Sequence, residues 1–501
     1  MMGIKDKIDR TQVEIISLED LVPKNHLVRK LDKAINLDFI YDEVRDLYKP
    51  FGRESIDPVV LIKIIMIQYI FGIRSMRQTL KEIEVNNAYR WYLGYGMYEE
   101  LPHFSTFSKN YSRRFKDTNL FENIFAKILA EVNKYGFIDD ENIFIDGTHI
   151  KANANTHKYK NEVVDESVRV YEEALQEEIT KDRVAHNKKP LKEKPQKDVK
   201  KNVKVSTTDP ESGLFHKGEH KKVFAYSSNT ACDKNNYILG FEVTAGNIHD
   251  SVSFWPLYQK MIELHPDVKG IVVDSGYKIP AIAKQIIDDK KMPIMPYKRP
   301  MTKDGFFKKH EYAYDEYYDC YICPNYKVLK YSTTNRDGYR EYKSNKCDCS
   351  ICPYLKQCTE SKEHVKVVTR HVWEEYMEKV EDIRHTKGIR EIYKLRSETI
   401  ERVFADAKEK HGMRYTQYRG IGKVRMELNL LFACMNLKKL ANWLDRKGLF
   451  PVDFLDYIKK SWKIMNITFY DQVKWFKCIS IWTILSTIWS PEFTQGLNSI
   501  Q

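Results

Sequence analysis

Three acidic residues have surroundings that could make them a metal site. Asp146 and Asp274 each lie at the end of an apolar run and are followed within two residues by a glycine, in residues 143–147 and 271–276. These runs are typical of buried strands, and the segment around Glu401 is typical of a helix. Carboxylates suit Mg²⁺ or Mn²⁺, and two such ions about 3.5–4 Å apart can hold the attacking and leaving oxygens of an in-line displacement. The pattern favours phosphoryl transfer on a nucleic acid strand.

The helix predicted around Glu401 would also bring a cation to this site. Lys408 follows Glu401 by two turns on the same face, where it could meet a phosphate. An apolar stripe would hold the helix to a sheet, formed by Ile400, Val403, Phe404 and Ala407. Each feature alone is weak, because an aspartate after a strand is more often structural or a helix cap. The order strand, strand, helix favours the metal site.

Cysteines give a second signal. Six of the nine fall between residues 320 and 358: Cys320, Cys323, Cys347, Cys349, Cys352 and Cys358. Paired Cys-x₂-Cys spacings in a protein without a secretion signal favour tetrahedral Zn²⁺ over disulfides. One zinc ion cannot use all six, and free thiols are the alternative. Neighbouring side chains, Tyr331, Arg336, Tyr339, Arg340 and Tyr342, would suit base stacking and phosphate contact.

The chain up to about residue 135 is predicted to be helical. Asp57-Pro58 is a good helix start, and Ser75 with Gln78 forms a capping box. A third helix is predicted from Ser105, with basic residues that include Arg113 and Arg114. Short helices joined by tight turns suit a helix-turn-helix on DNA. The alternative is a helical bundle that only buttresses the rest of the protein.

Residues 158–204 change from strongly acidic to strongly basic near residue 183, which predicts a helical hairpin arm or a partly disordered insertion. The basic half could lie on DNA or pair with the acidic half. Strands are predicted at 223–233 and 237–245, then a helix from about Ser251 to Leu264. His249 and Asp250 precede that helix and could line the site, or Asp250 could simply cap the helix.

Overall composition agrees with a nucleic-acid partner. The net charge is +12 and the chain has 32 tyrosines, which fits contact with a polyanion. The first ten residues are charged and lack the apolar stretch of a signal peptide, and the longest apolar runs are too short to cross a bilayer. We expect a cytoplasmic, nucleoid-associated protein without a membrane partner.

Taken together, these motifs resemble the DDE transposases of bacterial insertion sequences, most closely the insertion-sequence eleven-eighty-two branch. The first and second aspartate motifs match at residues 144–153 and 272–277, and the third at residues 396–408. Related families carry a tyrosine, arginine, glutamate and lysine signature, filled here by Tyr393, Arg396, Glu401 and Lys408. The chain departs from it by one residue, because four positions instead of three separate Arg396 from Glu401.

The resemblance implies an α+β multidomain protein. An all-α domain would precede an α/β RNase H-like core that carries a cysteine-rich zinc insertion. The implied segments are a DNA-end-binding domain (1–135), the first core strand region (136–157), the charged insertion (158–204), the continued core (205–300), the zinc insertion (301–370), the catalytic and closing helices (371–446) and a C-terminal appendage (447–501).

The resemblance also implies the site residues. Asp146, Asp274 and Glu401 would hold two Mg²⁺ or Mn²⁺ ions, and Lys408 and Arg402 would position phosphates. Implied DNA contacts are Arg74, Arg77, Arg90, Trp91, Arg113, Arg114, Arg396 and Arg414. The implied zinc ligands are Cys323, Cys349, Cys352 and Cys358, with Cys320 and Cys347 as possible alternatives.

The implied partners are double-stranded DNA, as terminal inverted repeats and target, and a second copy of the chain when assembled on DNA. The implied activity is metal-dependent cleavage and strand transfer. Two alternatives remain: a nuclease of the same fold that cuts without joining, and a catalytically dead, zinc-containing DNA-binding protein derived from a transposon.

Overall fold

The N-terminal part of the chain is helical, as predicted. The computed structural model describes residues 15–49, 51, 52, 54–165, 171–191, 200–217, 221–299 and 301–450, together with Met2, Thr11 and Val13. Its first helices are α1 (Leu18–Leu21), α2 (Leu27–Ala34), α3 (Phe39–Val44), α4 (Pro58–Ile70), α5 (Met76–Val85), α6 (Asn87–Leu93), α7 (Thr106–Asn110) and α8 (Leu120–Lys134). A 3₁₀ turn at Arg45–Leu47 extends α3, and a π-helical turn at Tyr111–Phe115 extends α7.

The predicted helix starts are confirmed by their capping bonds. The Asp57 carboxylate accepts hydrogen bonds from the backbone amides of Val59 and Val60 at 2.7 and 3.2 Å, with Pro58 as the first helical residue. The Ser75 hydroxyl accepts from the Gln78 amide at 3.2 Å and opens α5. Such caps satisfy amides that the first helical turn leaves without partners.

One mixed sheet forms the centre of the molecule. Its strands are β1 (Asn142–Lys151), β4 (Gly213–Lys217), β5 (Lys221–Cys232), β6 (Ile238–Ala245), β7 (Gly270–Val272) and β8 (Met292–Ile294). The order β6-β5-β1-β7-β8 is antiparallel across the first three strands and parallel across the last three, and β4 pairs with the start of β5. Helices α10 (Asp250–Leu264) and α11 (Pro280–Asp288) follow β6 and β7. The predicted succession of strand, long insertion, two strands, helix and strand is therefore confirmed.

The charged insertion differs from the prediction. Its ends form a two-stranded antiparallel ribbon of β2 (Tyr159–Asp165) and β3 (Lys200–Ser206), with α9 (Glu172–Ala185) between them. The backbone register places Asp165 opposite Lys200. The two ends of the insertion thus pair through their backbones, and a purely helical arm is wrong.

A second sheet is built from the cysteine-rich segment. It is an antiparallel meander of β9 (Ala313–Asp315), β10 (Cys320–Ile322), β11 (Val328–Thr334), β12 (Tyr339–Lys343) and β13 (Val367–His371), with short helices α12 (Lys346–Ser350) and α13 (Leu355–Cys358). Its small core consists of Tyr312, Tyr321, Leu329, Tyr342 and Val368. This sheet therefore has an apolar centre of its own.

The remaining helices return to the central sheet. They are α14 (Glu374–His385), α15 (Ile389–Lys394), α16 (Ile400–Lys410) and α17 (Ile421–Lys447). Helix α17 meets the largely apolar α4, where the Lys438 ammonium donates to the Ile70 carbonyl at 2.9 Å and Cys434 approaches the Met66 carbonyl. The His411 imidazole donates to the Tyr69 carbonyl at 2.8 Å.

The boundary predicted at residue 135 does not separate two bodies, because residues 1–443 form one compact unit. Residues 444–501 form a second unit, and most of the predicted C-terminal appendage, residues 451–501, lies outside the described residues. None of the helices in the described part of the chain is long and apolar enough to cross a membrane.

Candidate active site

Asp146 lies in the middle of the central sheet. It is part of β1, between β5 on one side and β7 on the other, and the preceding residues Ile143, Phe144 and Ile145 are fully buried. Its Oδ1 accepts the backbone amide of Gly147 at 2.8 Å. The apolar strand thus fixes the backbone beneath this carboxylate.

Asp274 follows β7 by two residues, so it lies at the carboxyl end of the strand next to β1. Its Oδ1 accepts the Gly276 amide at 2.7 Å, which closes the turn into α11. Asp274 and Asp146 affect each other electrostatically, since the charge of Asp274 raises the pKa of Asp146. Asp274 therefore lies close enough to affect Asp146, but Asp146 lies within β1 and not at the strand end that the sequence predicted.

Arg396 is the partner of Asp146. Its Nη2 lies 2.6 Å from Asp146 Oδ2, and its Nη1 donates to the Tyr393 hydroxyl at 3.2 Å. The Arg396 Nε is buried without a hydrogen-bond partner among the described residues. Burial, together with the charges of Asp274 and Asp250, raises the pKa of Asp146 to about 6 against the opposing effect of Arg396. The pKa of this carboxyl is therefore above its ordinary value even though a guanidinium lies beside it.

Asp250 is a third carboxylate here, which the sequence left undecided between lining the site and capping α10. His249 caps α10 instead, because its Nδ1 accepts the Ser251 amide at 3.2 Å. The Asp250 Oδ1 lies 2.8 Å from the position that a Cβ at residue 147 would occupy. Gly147 therefore leaves the room that the Asp250 carboxylate uses next to Asp146.

Tyr277 was missed at the sequence level. Its hydroxyl donates to Asn229 Oδ1, whose amide nitrogen in turn donates to the Ser253 hydroxyl at 2.5 Å. Burial and the nearby charges of Asp250, Asp146 and Asp274 raise the pKa of this phenol well above its ordinary value. The only sequence signal was its place three residues after Asp274.

Glu401 lies in the first turn of α16 and is exposed. The predicted apolar stripe is confirmed, since Ile400, Val403, Phe404 and Ala407 are all buried. The Lys408 ammonium donates to the Thr148 hydroxyl of β1, which places it two residues along that strand from Asp146. Arg402 is exposed next to Glu401. Helix α16 thus lies across the strand that carries the first aspartate.

The donor chemistry at this site suits a hard divalent cation. Asp146, Asp250 and Asp274 supply only oxygen ligands, and Arg396 already places one positive charge against Asp146. Among the residues that the structure describes, no three acidic, histidine or cysteine side chains converge closely enough to hold a metal ion.

The residues predicted to contact DNA separate into exposed and buried sets. Arg74, Arg77, Arg113 and Arg414 are exposed, and Trp91 and Arg114 are half-buried. Arg114 stacks 4.3 Å above the Tyr48 ring, and Arg77 stacks 4.3 Å above the Phe104 ring. Arg396 is buried against Asp146. The exposed set lies on several different elements.

Arg90 corrects the sequence prediction. It is only 5% exposed, and its guanidinium donates to the carbonyls of Glu84, Gly96 and Glu99 at 3.1, 2.6 and 3.0 Å. The guanidinium N–H groups that a phosphate would need are therefore already bound to three backbone carbonyls. Arg90 ties the turn after α6 together.

Within the predicted zinc set, Cys323 and Cys349 lie near enough to Cys358 to affect its thiol, but no three of these side chains converge closely enough to hold a metal ion in the described part of the chain. The Lys327 amide donates to Cys323 Sγ at 3.3 Å, Asn325 donates to Cys352 Sγ at 3.5 Å, and the Tyr312 hydroxyl lies 3.2 Å from Cys358 Sγ. Burial raises the pKa of Cys358, and the nearby Cys349 and Cys323 raise it further.

The other two clustered cysteines lie elsewhere. Cys320 is buried within β10, where its charged neighbours are Asp315 and Asp319, and Cys347 is exposed. The predicted ligand set and the two alternatives are thus in different surroundings.

Two of the predicted stacking residues in this insertion are structural. Tyr342 is fully buried and donates to Asp319 at 2.6 Å. Arg340 forms an ion pair at 2.6 Å with Asp182 of α9, a residue that is itself buried. Both side chains hold α9 and the second sheet in place, so the prediction of DNA contact by Tyr342 and Arg340 is wrong.

Two families of known proteins match the chain. Residues 16–113 match the family described as Transposase domain (DUF772), and residues 322–441 match the family described as Transposase DDE domain. The second match includes Glu401 and five of the six clustered cysteines, whereas Asp146, Asp274 and Cys320 precede it. No curated protein and no solved structure is similar enough to be matched.

The two matches fall on the helical N-terminal region and on the segment that leads into α16 and α17. They agree with the eleven-eighty-two branch indicated by the aspartate motifs. Both matched families are transposase families, and together the two matches support a DDE-type transposase of bacterial insertion sequences.

Proposed function

We propose that this transposase cuts DNA at the ends of its insertion sequence and joins the freed ends to a target. The observation that carries the proposal is the pairing of Arg396 with Asp146 at the centre of the sheet, beside Asp274 and beneath α16. A half-buried carboxylate on a rigid strand, paired with an arginine and next to a second carboxylate, is suited to a phosphoryl-transfer site. The strand order of the central sheet also supports an RNase H-like core.

Asp146, Asp274 and Glu401 are the proposed ligands of two Mg²⁺ or Mn²⁺ ions. When bound, such ions make a water or a 3′-hydroxyl a better nucleophile and stabilise the leaving oxygen. The apolar β1 strand holds Asp146 in a fixed position, and Lys408 is anchored to Thr148 of the same strand. Lys408 and Arg402 would orient the phosphates on either side of the reacting one.

A structural Zn²⁺ is proposed for Cys323, Cys349, Cys352 and Cys358. Support comes from the amide of Lys327 that donates to Cys323, because backbone amides stabilise the thiolate form that zinc requires. The neighbouring helices α12 and α13 have only five and four residues. Such short elements gain most from a metal that links them.

Element ends are proposed to bind at the N-terminal helices. Arg74, Arg77 and Arg113 are exposed there, which makes them available to phosphates and bases. Assembly of two copies on DNA is part of the proposal, because an insertion sequence has two ends to cut and join.

The test compares charge-removing variants with a matched control. Asp146→Asn, Asp274→Asn and Glu401→Gln should each abolish cleavage and joining of end DNA while DNA binding is retained. Asp267→Asn is the control, since Asp267 is exposed and precedes β7 at its opposite end. A variant that still cleaves within about tenfold of wild type, a loss of only ~1.4 kcal/mol, would show that its residue is wrongly assigned. Cleavage without joining to a 3′-hydroxyl end would instead identify a nuclease.

A further inference from the structure

A groove of about 900 Å³ lies next to the carboxylate site and has no role in the proposed chemistry. It runs between the residues that follow β8 and the turn that joins α14 to α15. We call it the Tyr297 groove, and the residues that matter to its chemistry are Tyr297, Arg384, Lys387, Arg390 and Tyr393.

The rim of the Tyr297 groove is basic. Lys387 and Arg390 are exposed, and neither forms an ion pair among the described residues. Glu391 is the only acidic residue among the described residues that line the groove. The unneutralised cations on this rim would attract a polyanion.

The same groove has an exposed aromatic ring. Tyr297 is 57% exposed, and the Arg384 guanidinium stacks above its ring with a separation of 5.3 Å. Arg384 is itself fixed by an ion pair with Glu381 at 2.8 Å. The ring therefore has one supported face and a large solvent-accessible surface.

The inner end of the groove reaches the reacting carboxylates through two residues. Tyr393 lines the groove, and its hydroxyl accepts a hydrogen bond from Arg396 at 3.2 Å. Arg396 in turn contacts Asp146 at 2.6 Å. Only Tyr393 and Arg396 would thus separate a strand in the groove from Asp146.

We propose that the Tyr297 groove binds DNA that is unpaired next to the scissile phosphate, with a base stacked on Tyr297 and phosphates held by Lys387 and Arg390. The inference rests on the proposed function. An unpaired strand is favoured over a duplex because bases inside a duplex already stack on both faces, whereas an exposed ring next to cations is the usual platform for single strands. Binding in the groove would fix the position of the unpaired strand next to the cut.

Binding of full-length protein to two labelled DNAs tests this, without divalent cations. One DNA is fully paired, and the other has the same sequence but is forked at the cut site. Tyr297→Ala should weaken binding to the forked DNA by about tenfold and to the duplex by less than about twofold, because stacking contributes only where a base is free. Tyr297→Phe keeps the ring and should restore binding.

Matched controls separate stacking from general surface effects. Tyr317→Ala removes an exposed tyrosine of the second sheet, 88% exposed, and should change neither affinity. The double variant Lys387→Gln with Arg390→Gln should reduce the log–log salt slope on the forked DNA by about 1.4, which is two contacts at ~0.7 each on a single strand. Lys260→Gln, on the exposed face of α10, is the charge control.

The possible results distinguish this inference from the proposed function. Equal weakening on both DNAs, or none, would overturn the groove assignment even if Asp146→Asn abolishes cleavage. A labelled polyglutamate peptide that binds in a Lys387- and Arg390-dependent manner, while forked DNA does not, would also overturn it. If Tyr297→Ala weakens binding to the forked DNA but Asp146→Asn still cleaves and joins DNA, the groove assignment is supported and the proposed catalytic site is wrong.

Discussion

The N-terminal helices and the cysteine-rich insertion are attached to the central sheet in opposite ways. The N-terminal helices share their apolar core with the sheet, since α4 is buried along nearly its whole length and meets α17. The insertion has its own tyrosine core, and polar side chains such as Arg340 and Asp182 connect it to α9. A shared apolar core makes two regions fold together, whereas polar contacts between separate cores let them unfold separately.

The largest expected effect comes from removing the part of the apolar core that the N-terminal helices contribute. Deletion of residues 1–135 should leave the rest of the chain unfolded, because it exposes the face of α17 that α4 covers. Circular dichroism and size-exclusion chromatography of the truncated protein would measure this. A soluble, cooperatively folding fragment would show that the N-terminal helices are an independent domain after all.

Loss of zinc should affect only the insertion. Cys352→Ser should remove a bound Zn²⁺ and unfold the second sheet locally, since metal binding contributes folding free energy. Metal analysis and hydrogen exchange resolved by region would detect it, with Cys347→Ser as the control because Cys347 is exposed. Wild-type protein that contains no zinc when purified without chelators would refute the proposed ligand set.

Two arginines of the N-terminal helices should respond very differently to the same substitution. Arg90→Gln should lower the free energy of unfolding by about 3 kcal/mol, because buried carbonyls lose their charged donor. Arg77→Gln should change it by less than ~0.5 kcal/mol, as expected for an exposed residue, and should weaken DNA binding instead. Denaturant titrations and binding assays on both variants would measure the contrast, and the reverse ranking would contradict it.

The free energy of unfolding should depend on pH through a histidine at the junction between α4 and the core. Burial lowers the pKa of His411 from 6.5 to about 4. The unfolded chain therefore binds more protons between these values, so the stability that neutral His411 provides is complete above about pH 6.5 and is lost as the pH falls towards 4.

His411→Gln should remove up to about 3 kcal/mol of this acid sensitivity. His371, at the end of β13, has its pKa lowered to about 4 by burial as well. His371→Gln thus gives the matched measurement at the insertion. Unfolding free energies measured across pH 4–8 would show how much each histidine contributes, His411 at the α4 junction and His371 at the insertion. An unchanged pH dependence in both variants would contradict the lowered pKa values of the two histidines.

Local signals allowed much of the fold to be predicted from the sequence. Asp57 and Ser75 marked helix starts because capping depends on side chains within a few residues. The apolar runs before Asp146 and Asp274 predicted the two neighbouring strands for the same reason. The stripe on α16 identified its buried face.

Other features depended on contacts that the sequence does not reveal. Arg90 is buried only because a turn brings the carbonyls of Gly96 and Glu99 to it. The ribbon of β2 and β3 was missed because charge runs indicate solvation rather than strand pairing. Asp250 could be assigned to the site only once His249 was seen to take the capping position.

The hydrogen bond between Arg74 and Gln417 would set the spacing between a bound DNA end and the central sheet. Arg74 lies four residues after the end of α4, and its carbonyl accepts a hydrogen bond from Gln417, in the loop that also pairs with the end of β1. A DNA end held at Arg74 would then be a fixed distance from Asp146. The protein would act as a ruler, and one extra base pair, about 3.4 Å of DNA, would shift the cut by one nucleotide relative to the recognised sequence rather than be absorbed by a flexible linker.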